Sequence, residues 1–190
     1  SRTAAQEAIR AGGVLVGGLP ATKPAMLVGV DDLVSVASSP RGFVSRGGEK
    51  LVAALERFGV DPTGRDCLDA GASTGGFTDC LLQYGAARVI SVDVGYGQFD
   101  WGLRNDRRVE LLERTNIREV ARIDLPFAPD LVVADLSFIS LRSVVGPLAG
   151  IASPSAEFIF LVKPQFEAGR ELVGKGGVVR DPGVWRIAVE

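Results

Sequence analysis

Apolar positions along this chain follow two different rhythms. In the first forty or so residues they come as short runs: 14–16, then 27–30, then 33–36, set apart by Gly17-Gly18 and by polar stretches, which reads as short strands joined by turns. Ahead of them residues 2–11 read as a helix with Ala5, Ala8 and Ile9 on one side and Gly12-Gly13 as its stop. A helix-plus-strands unit of this size is too small to be stable through core burial alone. Ser38-Ser39-Pro40-Arg41-Gly42 reads as a linker. Beyond it the rhythm changes. Leu51, Ala54, Leu55 and Phe58 fall at helical spacing over 49–58, and apolar runs at 67–69, 89–93, 109–112, 131–135 and 158–163 then alternate with helical stretches at 76–84 and 143–149. Alternation of this kind predicts an α/β fold: a mostly parallel sheet with right-handed crossovers, helices on both faces and ligands beyond the carboxyl ends of the strands. The expected domains are 1–38, a linker at 39–47, and 48–190.

The densest local chemistry lies at Leu68-Asp69-Ala70-Gly71-Ala72-Ser73-Thr74-Gly75-Gly76-Phe77. An apolar strand there ends on an acid and breaks into glycines before a helix, so backbone can approach a ligand and the helix N-terminus offers free N–H groups. The glycines read G-x-x-x-G-G rather than the dinucleotide pattern G-x-G-x-x-G, and an acid sits two positions before the first. That favours S-adenosylmethionine over NAD. A single Asp after a strand is most simply a turn former or cap, but the strand ends here carry Asp69, Asp93, Asp135 and Lys163. Four together point to one crevice. Asp93 follows Gly71 at about the separation of 20 at which an acid in this architecture meets ribose hydroxyls, and a carboxylate can accept both bonds of a vicinal diol.

Composition narrows the rest. At 190 residues, 46% of them hydrophobic, the chain can bury the core of one ordinary domain with a small appendage. With no apolar run of membrane-spanning length and no secretory start, the expectation is a soluble, cytoplasmic protein without membrane partners. Cys67 and Cys80 read as buried thiols rather than a disulfide or metal pair. The chain has no histidine, which removes the commonest general base and the usual zinc sites and leaves proton transfer to Lys, Asp, Glu or Tyr; no metal is expected. Residues 1–50 carry six Lys or Arg against four acids, while the whole chain is at −2. Nucleic-acid binding would therefore rest on a local basic face.

Six segments in order, Ser45-Arg46-Gly47-Gly48-Glu49-Lys50-Leu51, Asp69 to Phe77, Asp93-Val94-Gly95-Tyr96-Gly97, Glu113-Arg114-Thr115-Asn116, Asp135-Leu136-Ser137-Phe138-Ile139-Ser140 and Leu161-Val162-Lys163-Pro164-Gln165-Phe166-Glu167, closely resemble the TlyA haemolysin-like family. Its members are ribosomal RNA 2′-O-ribose methyltransferases with an FtsJ-like catalytic domain. Ser1-Arg2, Ile9, Gly12, Val14, Val16, Gly18, Lys23-Pro24, Asp32 and Val36 similarly resemble most of an S4-type RNA-binding domain. The resemblance implies a Rossmann-like S-adenosylmethionine-dependent methyltransferase domain behind a small α+β RNA-binding domain. It also implies ribosomal RNA or ribosomal subunits as partners and methyl transfer to a ribose 2′-hydroxyl.

The family's K-D-K-E tetrad carries over for Lys50, Asp135 and Lys163. Its glutamate is expected on a later strand beyond Glu190, along with the remaining strands of the sheet, so neither Glu167 nor Glu190 takes that role. A ribose hydroxyl is a poor nucleophile whose proton must be drawn off as the methyl is displaced in line. Lys163, at a buried strand end, is the expected base, since burial and a neighbouring cation such as Lys50 favour a neutral amine. Asp135 would orient it and favour the sulfonium's charge, and Lys50 would hold the substrate. For the cofactor, the turn at Asp69, Gly71, Ser73, Gly75 and Gly76 is expected around the methionine portion, Asp93 at the ribose and Asn116 at the adenine edge, where the family usually has Asp. Phe77 would either pack near the adenosine or staple the helix. Arg2, Arg10 and Lys23 are the candidate RNA-phosphate contacts. Three other readings remain open: a noncatalytic RNA-binding or ribosome-assembly factor retaining the fold, a membrane-lytic haemolysin and a dehydrogenase.

Overall fold

The computed structural model describes Ala5, Gln6, Ile9 and residues 14–21, 23–36, 42–174 and 176–189. The chain divides into two units, Ser1–Gly42 and Phe43–Glu190. Of the helix expected over 2–11, the described Ala5, Gln6 and Ile9 are helical; the rest of it, and residues 38–41 of the expected linker, lie outside the described residues.

In the first unit, β1 (Val14–Val16) pairs antiparallel with β2 (Leu19–Pro20) and with β3 (Val34–Val36), giving the order β2-β1-β3. Gly17 and Gly18 make the connecting turn with φ of 57° and 83°, the left-handed pair that a two-residue hairpin requires. The run 27–30, expected to be extended, pairs with no strand among the described residues, and Leu27 and Val30 stand fully exposed. The strand missed in the sequence is β2: a two-residue turn delivers it to β1 with very little loop to close.

The second unit contains α1 (Gly47–Phe58), β4 (Asp66–Ala70), α2 (Gly76–Gln83), β5 (Arg88–Val92), α3 (Trp101–Arg104), β6 (Val109–Leu112), β7 (Leu131–Ala134), α4 (Val145–Ile151), β8 (Glu157–Phe160), α5 (Pro164–Glu167) and α6 (Pro182–Val189). Its five strands are all parallel in the order β6-β5-β4-β7-β8. Successive strands step outward from β4 to β5 and β6, then cross back to β7 and β8, so the order reverses at the β4/β7 boundary. Such a reversal opens a crevice above the carboxyl ends of the two strands. β4, β5 and β7 are buried almost throughout, which is why β7 reads as an unbroken apolar run and β4 and β5 do not alternate, their buried interiors interrupted only by Asp69 and Ser91. Leu51, Leu55, Phe77 and Leu81 from α1 and α2 pack in one cluster with Cys67, Val89 and Val133. Leu148 and Ile151 of α4 pack in another with Leu68, Ile90 and Val132. Adjacent positions on a strand thus serve opposite faces of the sheet.

Three expectations change. The strand expected over 158–163 ends at Phe160, so Lys163 lies beyond it and immediately precedes α5, whose first residue is Pro164; proline is at home there because that N–H has no helical partner. The helix expected over 143–149 is a 3₁₀ turn, Leu141–Ser143, followed by α4. Asp69 lies inside β4 rather than at its end.

Candidate active site

Between β4 and α2 the chain makes the turn that the glycines foretell. Gly71 has φ of 87°, and a Cβ on it would stand 3.0 Å from the carbonyl oxygen of Asp135 and 3.0 Å from Leu136 Cδ2, so the two strand-end loops can meet only at a glycine. Gly75, with φ of 96°, is the N-cap of α2 and offers no capping side chain. Thr78 N–H is taken by Asp69, which leaves the N–H groups of Gly76 and Phe77 at the helix start for a ligand. Ser73 adopts φ of 50° in the same turn.

Asp69 sits beneath this turn rather than in it. It is fully buried; one carboxylate oxygen accepts bonds from Thr78 N–H (3.0 Å) and Thr78 Oγ1 (2.7 Å), and Thr78 Oγ1 lies 2.7 Å from Ser91 Oγ. The other oxygen has no partner among the described residues. Burial pushes the Asp69 carboxyl up to about 7, against the lowering effect of the Thr78 bonds.

Two cavities open above the carboxyl ends. The smaller, about 400 Å³, is bordered by Asp93, Asn116, Leu136 and Phe138. The larger, about 830 Å³, is bordered by Arg46, Lys50, Thr74, Gly76, Phe77 and Lys163. Gly71, Ser73, Asp135 and Ser137 line both and form the wall between them. Of the expected cofactor residues, Asp69 and Gly75 line neither. Phe77 borders the larger cavity, but its ring is packed in the core.

Asp93 is tied to its surroundings through both oxygens: Oδ2 accepts from Ser73 N–H (2.7 Å), and Oδ1 accepts from Gly95 N–H (2.6 Å) and Gln98 Nε2 (3.2 Å). Asn116 lines the cavity while capping the 3₁₀ turn Ile117–Glu119, its Oδ1 accepting from Arg118 N–H at 3.2 Å and its Nδ2 donating to Glu119 Oε1 at 3.1 Å. Its amide is thus committed to the turn.

The chemical centre is Asp135, the first residue after β7. Lys50 Nζ, from the first turn of α1, lies 3.0 Å from Oδ2, and Lys163 Nζ lies 2.6 Å from Oδ1. Lys163 also donates to Ser137 Oγ at 2.7 Å. Side-chain exposure is 51% for Lys50 but 19% for both Asp135 and Lys163, so two of the three groups are largely withdrawn from water. Burial alone would raise the Asp135 carboxyl; the hydrogen bonds and charges of Lys163 and Lys50 outweigh it and hold the group below its ordinary value. Three residues far apart in the chain thus form one charged cluster, with Asp135 in the shared wall and both lysines on the larger-cavity side. Ser137, inside a segment singled out for its resemblance, belongs to this cluster and was assigned no role from sequence.

Arg2 and Arg10 lie outside the described residues, and Lys23 is exposed in the first unit. Among the described residues no group of three His, Cys, Asp or Glu could hold a metal ion, and no helix is long and apolar enough to cross a membrane.

Comparison with known proteins agrees with this layout. The FtsJ-like methyltransferase family model matches residues 43–185, and the S4 domain model matches residues 1–34. The chain is 57% identical over 183 residues to the 16S/23S rRNA (cytidine-2′-O)-methyltransferase TlyA of Mycobacterium tuberculosis, covering 96% of this chain and 68% of that protein. It is 46% identical over 185 residues to YqxC of Bacillus subtilis, named as an rRNA methyltransferase, covering 97% of this chain and 66% of that one. A solved haemolysin-named protein from Streptococcus thermophilus superposes with a TM-score of 0.76 at 38% identity, over 100% of this chain and 70% of its own. With one family model over most of its length and relatives this similar, the chain belongs to the TlyA haemolysin-like branch of the FtsJ-like methyltransferases.

Proposed function

We propose that this chain transfers a methyl group from S-adenosylmethionine to the 2′-hydroxyl of a ribose in ribosomal RNA. The observation that carries the reading is the Lys50–Asp135–Lys163 cluster at the wall between two cavities. One side can hold the methyl donor, the other a nucleotide, and the reacting atoms would meet at Asp135.

The smaller cavity has the size and donor set that S-adenosylmethionine needs. Its volume falls within the usual range for small-molecule sites, and Gly71 lines it without a side chain. A carboxylate has about four acceptor positions, and Asp93 uses three of them within the protein, the longest to Gln98. A ribose diol takes the fourth and displaces Gln98. The backbone at Gly71 and Ser73 receives the methionine portion. S-adenosylmethionine supplies an electrophilic methyl group on a sulfonium, whose positive charge Asp135 favours.

On the larger-cavity side, Arg46 and Lys50 bind the sugar-phosphate and fix the target ribose. Lys163, whose Nζ is held 2.6 Å from Asp135, takes the proton of the 2′-hydroxyl, the chain having no histidine for that task. Asp135 holds both lysine heads at the shared wall. The first unit, through Arg2, Arg10 and Lys23, contacts RNA phosphates and positions the substrate.

Calorimetric titration with S-adenosylmethionine and with NADH, followed by transfer of labelled methyl to ribosomal RNA, tests the reading. Saturable binding of the first ligand alone is expected, with Asp135→Asn reducing transfer by roughly a hundredfold or more. Binding of NADH instead, or full transfer by Asp135→Asn, would overturn it. RNA binding without any affinity for S-adenosylmethionine would identify a noncatalytic RNA-binding factor.

A further inference from the structure

We propose that Glu167 is a positioning residue for this site, clamping the loop after β7 to the segment that carries Lys163; the inference rests on the methyltransferase reading above. Two short stretches, 135–141 and 163–167, run against each other and are joined rung by rung. Lys163 bonds Asp135 and Ser137 at 2.6 and 2.7 Å. The Phe138 and Phe166 rings pack with centroids 5.3 Å apart, tilted at 46°. Glu167 closes the far end with both oxygens: Oε2 accepts from Ser140 Oγ at 2.6 Å and Oε1 from Leu141 N–H at 2.8 Å.

That last bond meets the start of the 3₁₀ turn Leu141–Ser143, which Ser140 caps. A carboxylate is well suited to a free N–H at such a terminus. The loop needs the restraint. Phe138 holds φ of 64° and is 91% exposed; a residue with a side chain keeps that backbone shape only where its surroundings over-determine it. Leu136, Ser137, Phe138 and Ile139 wall the smaller cavity, so the position of this loop sets both the cofactor cavity and the hydroxyl that Lys163 bonds. Glu167 itself contacts neither lysine within hydrogen-bonding distance. It acts through the loop.

The test uses the full chain with Glu167→Ala, Glu167→Gln and Ser140→Ala. Gln can keep both contacts without the charge, its carbonyl accepting from Leu141 N–H and its amide donating to Ser140 Oγ. In Glu167→Ala, hydrogen exchange at the Leu141 amide is expected to quicken by about tenfold or more, S-adenosylmethionine affinity to fall about fivefold or more, and methyl transfer to fall further. Glu167→Gln should stay within about threefold of wild type in all three, and Ser140→Ala, which removes one of the two Glu167 bonds and the cap bond from Arg142 N–H, should fall between. Unchanged Leu141 exchange and cofactor affinity in Glu167→Ala overturn the clamp. Methyl transfer as low in Gln as in Ala, with Leu141 exchange normal, also overturns it, since the charge would then act directly. Failure of the wild-type chain to bind S-adenosylmethionine overturns the functional reading instead, and this role with it.

Discussion

Asp69, Asp93 and Asp135 look alike in sequence, each closing an apolar run, yet two residues of register separate the first from the other two. Asp69 is the fourth residue of a five-residue strand and pairs in register with Ser91 and Val133, so its side chain stays in the sheet layer under α2. Asp93 and Asp135 are each the first residue past a strand, β5 and β7, and reach the cavities. Replacing Asp93 by Ala should therefore weaken S-adenosylmethionine by about tenfold or more, about 1.4 kcal/mol per factor of ten, as read by calorimetry. Asp69 instead gives a stability signature. Its folded value of about 7 lies above the ordinary 3.8, so between these values the folded chain binds more protons than the unfolded one. The stabilisation is complete below about 4 and is lost as pH rises towards 7. Wild type should thus lose more melting temperature between pH 5 and 8 than Asp69→Asn does; parallel profiles would show that Asp69 does not carry the proton.

At the scale of elements, α1 and α2 meet end to end through glycines. A Cβ on Gly76 would fall 2.2 Å from Ser45 Oγ and 3.2 Å from Gly47 Cα, and one on Gly48 would overlap the Phe43 side chain at 2.2 Å. The Gly47-Gly48 and Gly75-Gly76 pairs bring two helix starts together, which places Lys50 one turn into α1 beside the cofactor turn. Overpacking of this sort costs about 1–3 kcal/mol. Gly48→Ala and Gly76→Ala should each lower the urea midpoint accordingly without changing the slope of the transition, a result that a denaturation curve decides. The central strands β4, β5 and β7 were legible because strands buried on both faces keep apolar runs, and the crevice followed from where those runs stop. The short helices were not. α3 and α5 have four residues each, too few for a helical period to register, and α5 took Lys163 off the strand on which its apolar neighbours Leu161 and Val162 had placed it. Contacts such as Glu167 with Ser140 and Leu141 join residues 26 and 27 positions apart, and no local pattern announces them. Lys50, Asp135 and Lys163 were legible only through the family's motifs, since apolar periodicity alone leaves Lys50 an ordinary surface residue of a helix.

For the molecule as a whole, the net charge of −2 gives no general attraction to a polyanion, so RNA affinity must come from local contacts. Removing Arg2, Arg10 and Lys23 together should weaken ribosomal RNA binding and make the plot of log affinity against log salt shallower by about 2–3; filter binding across a salt series would show an unaltered slope if these residues touch no phosphate. The wall shared by the two cavities is thin: Gly71, Ser73, Asp135 and Ser137 belong to both. A single small molecule with an adenosine-like head in one chamber and a nucleotide-like head in the other would need only a short spacer to pass Asp135. Joining the heads turns the second binding event into an intramolecular one, with an effective concentration in the millimolar range. The same partition that keeps donor and acceptor apart until their reacting atoms meet thus makes the chain open to inhibitors that imitate both at once.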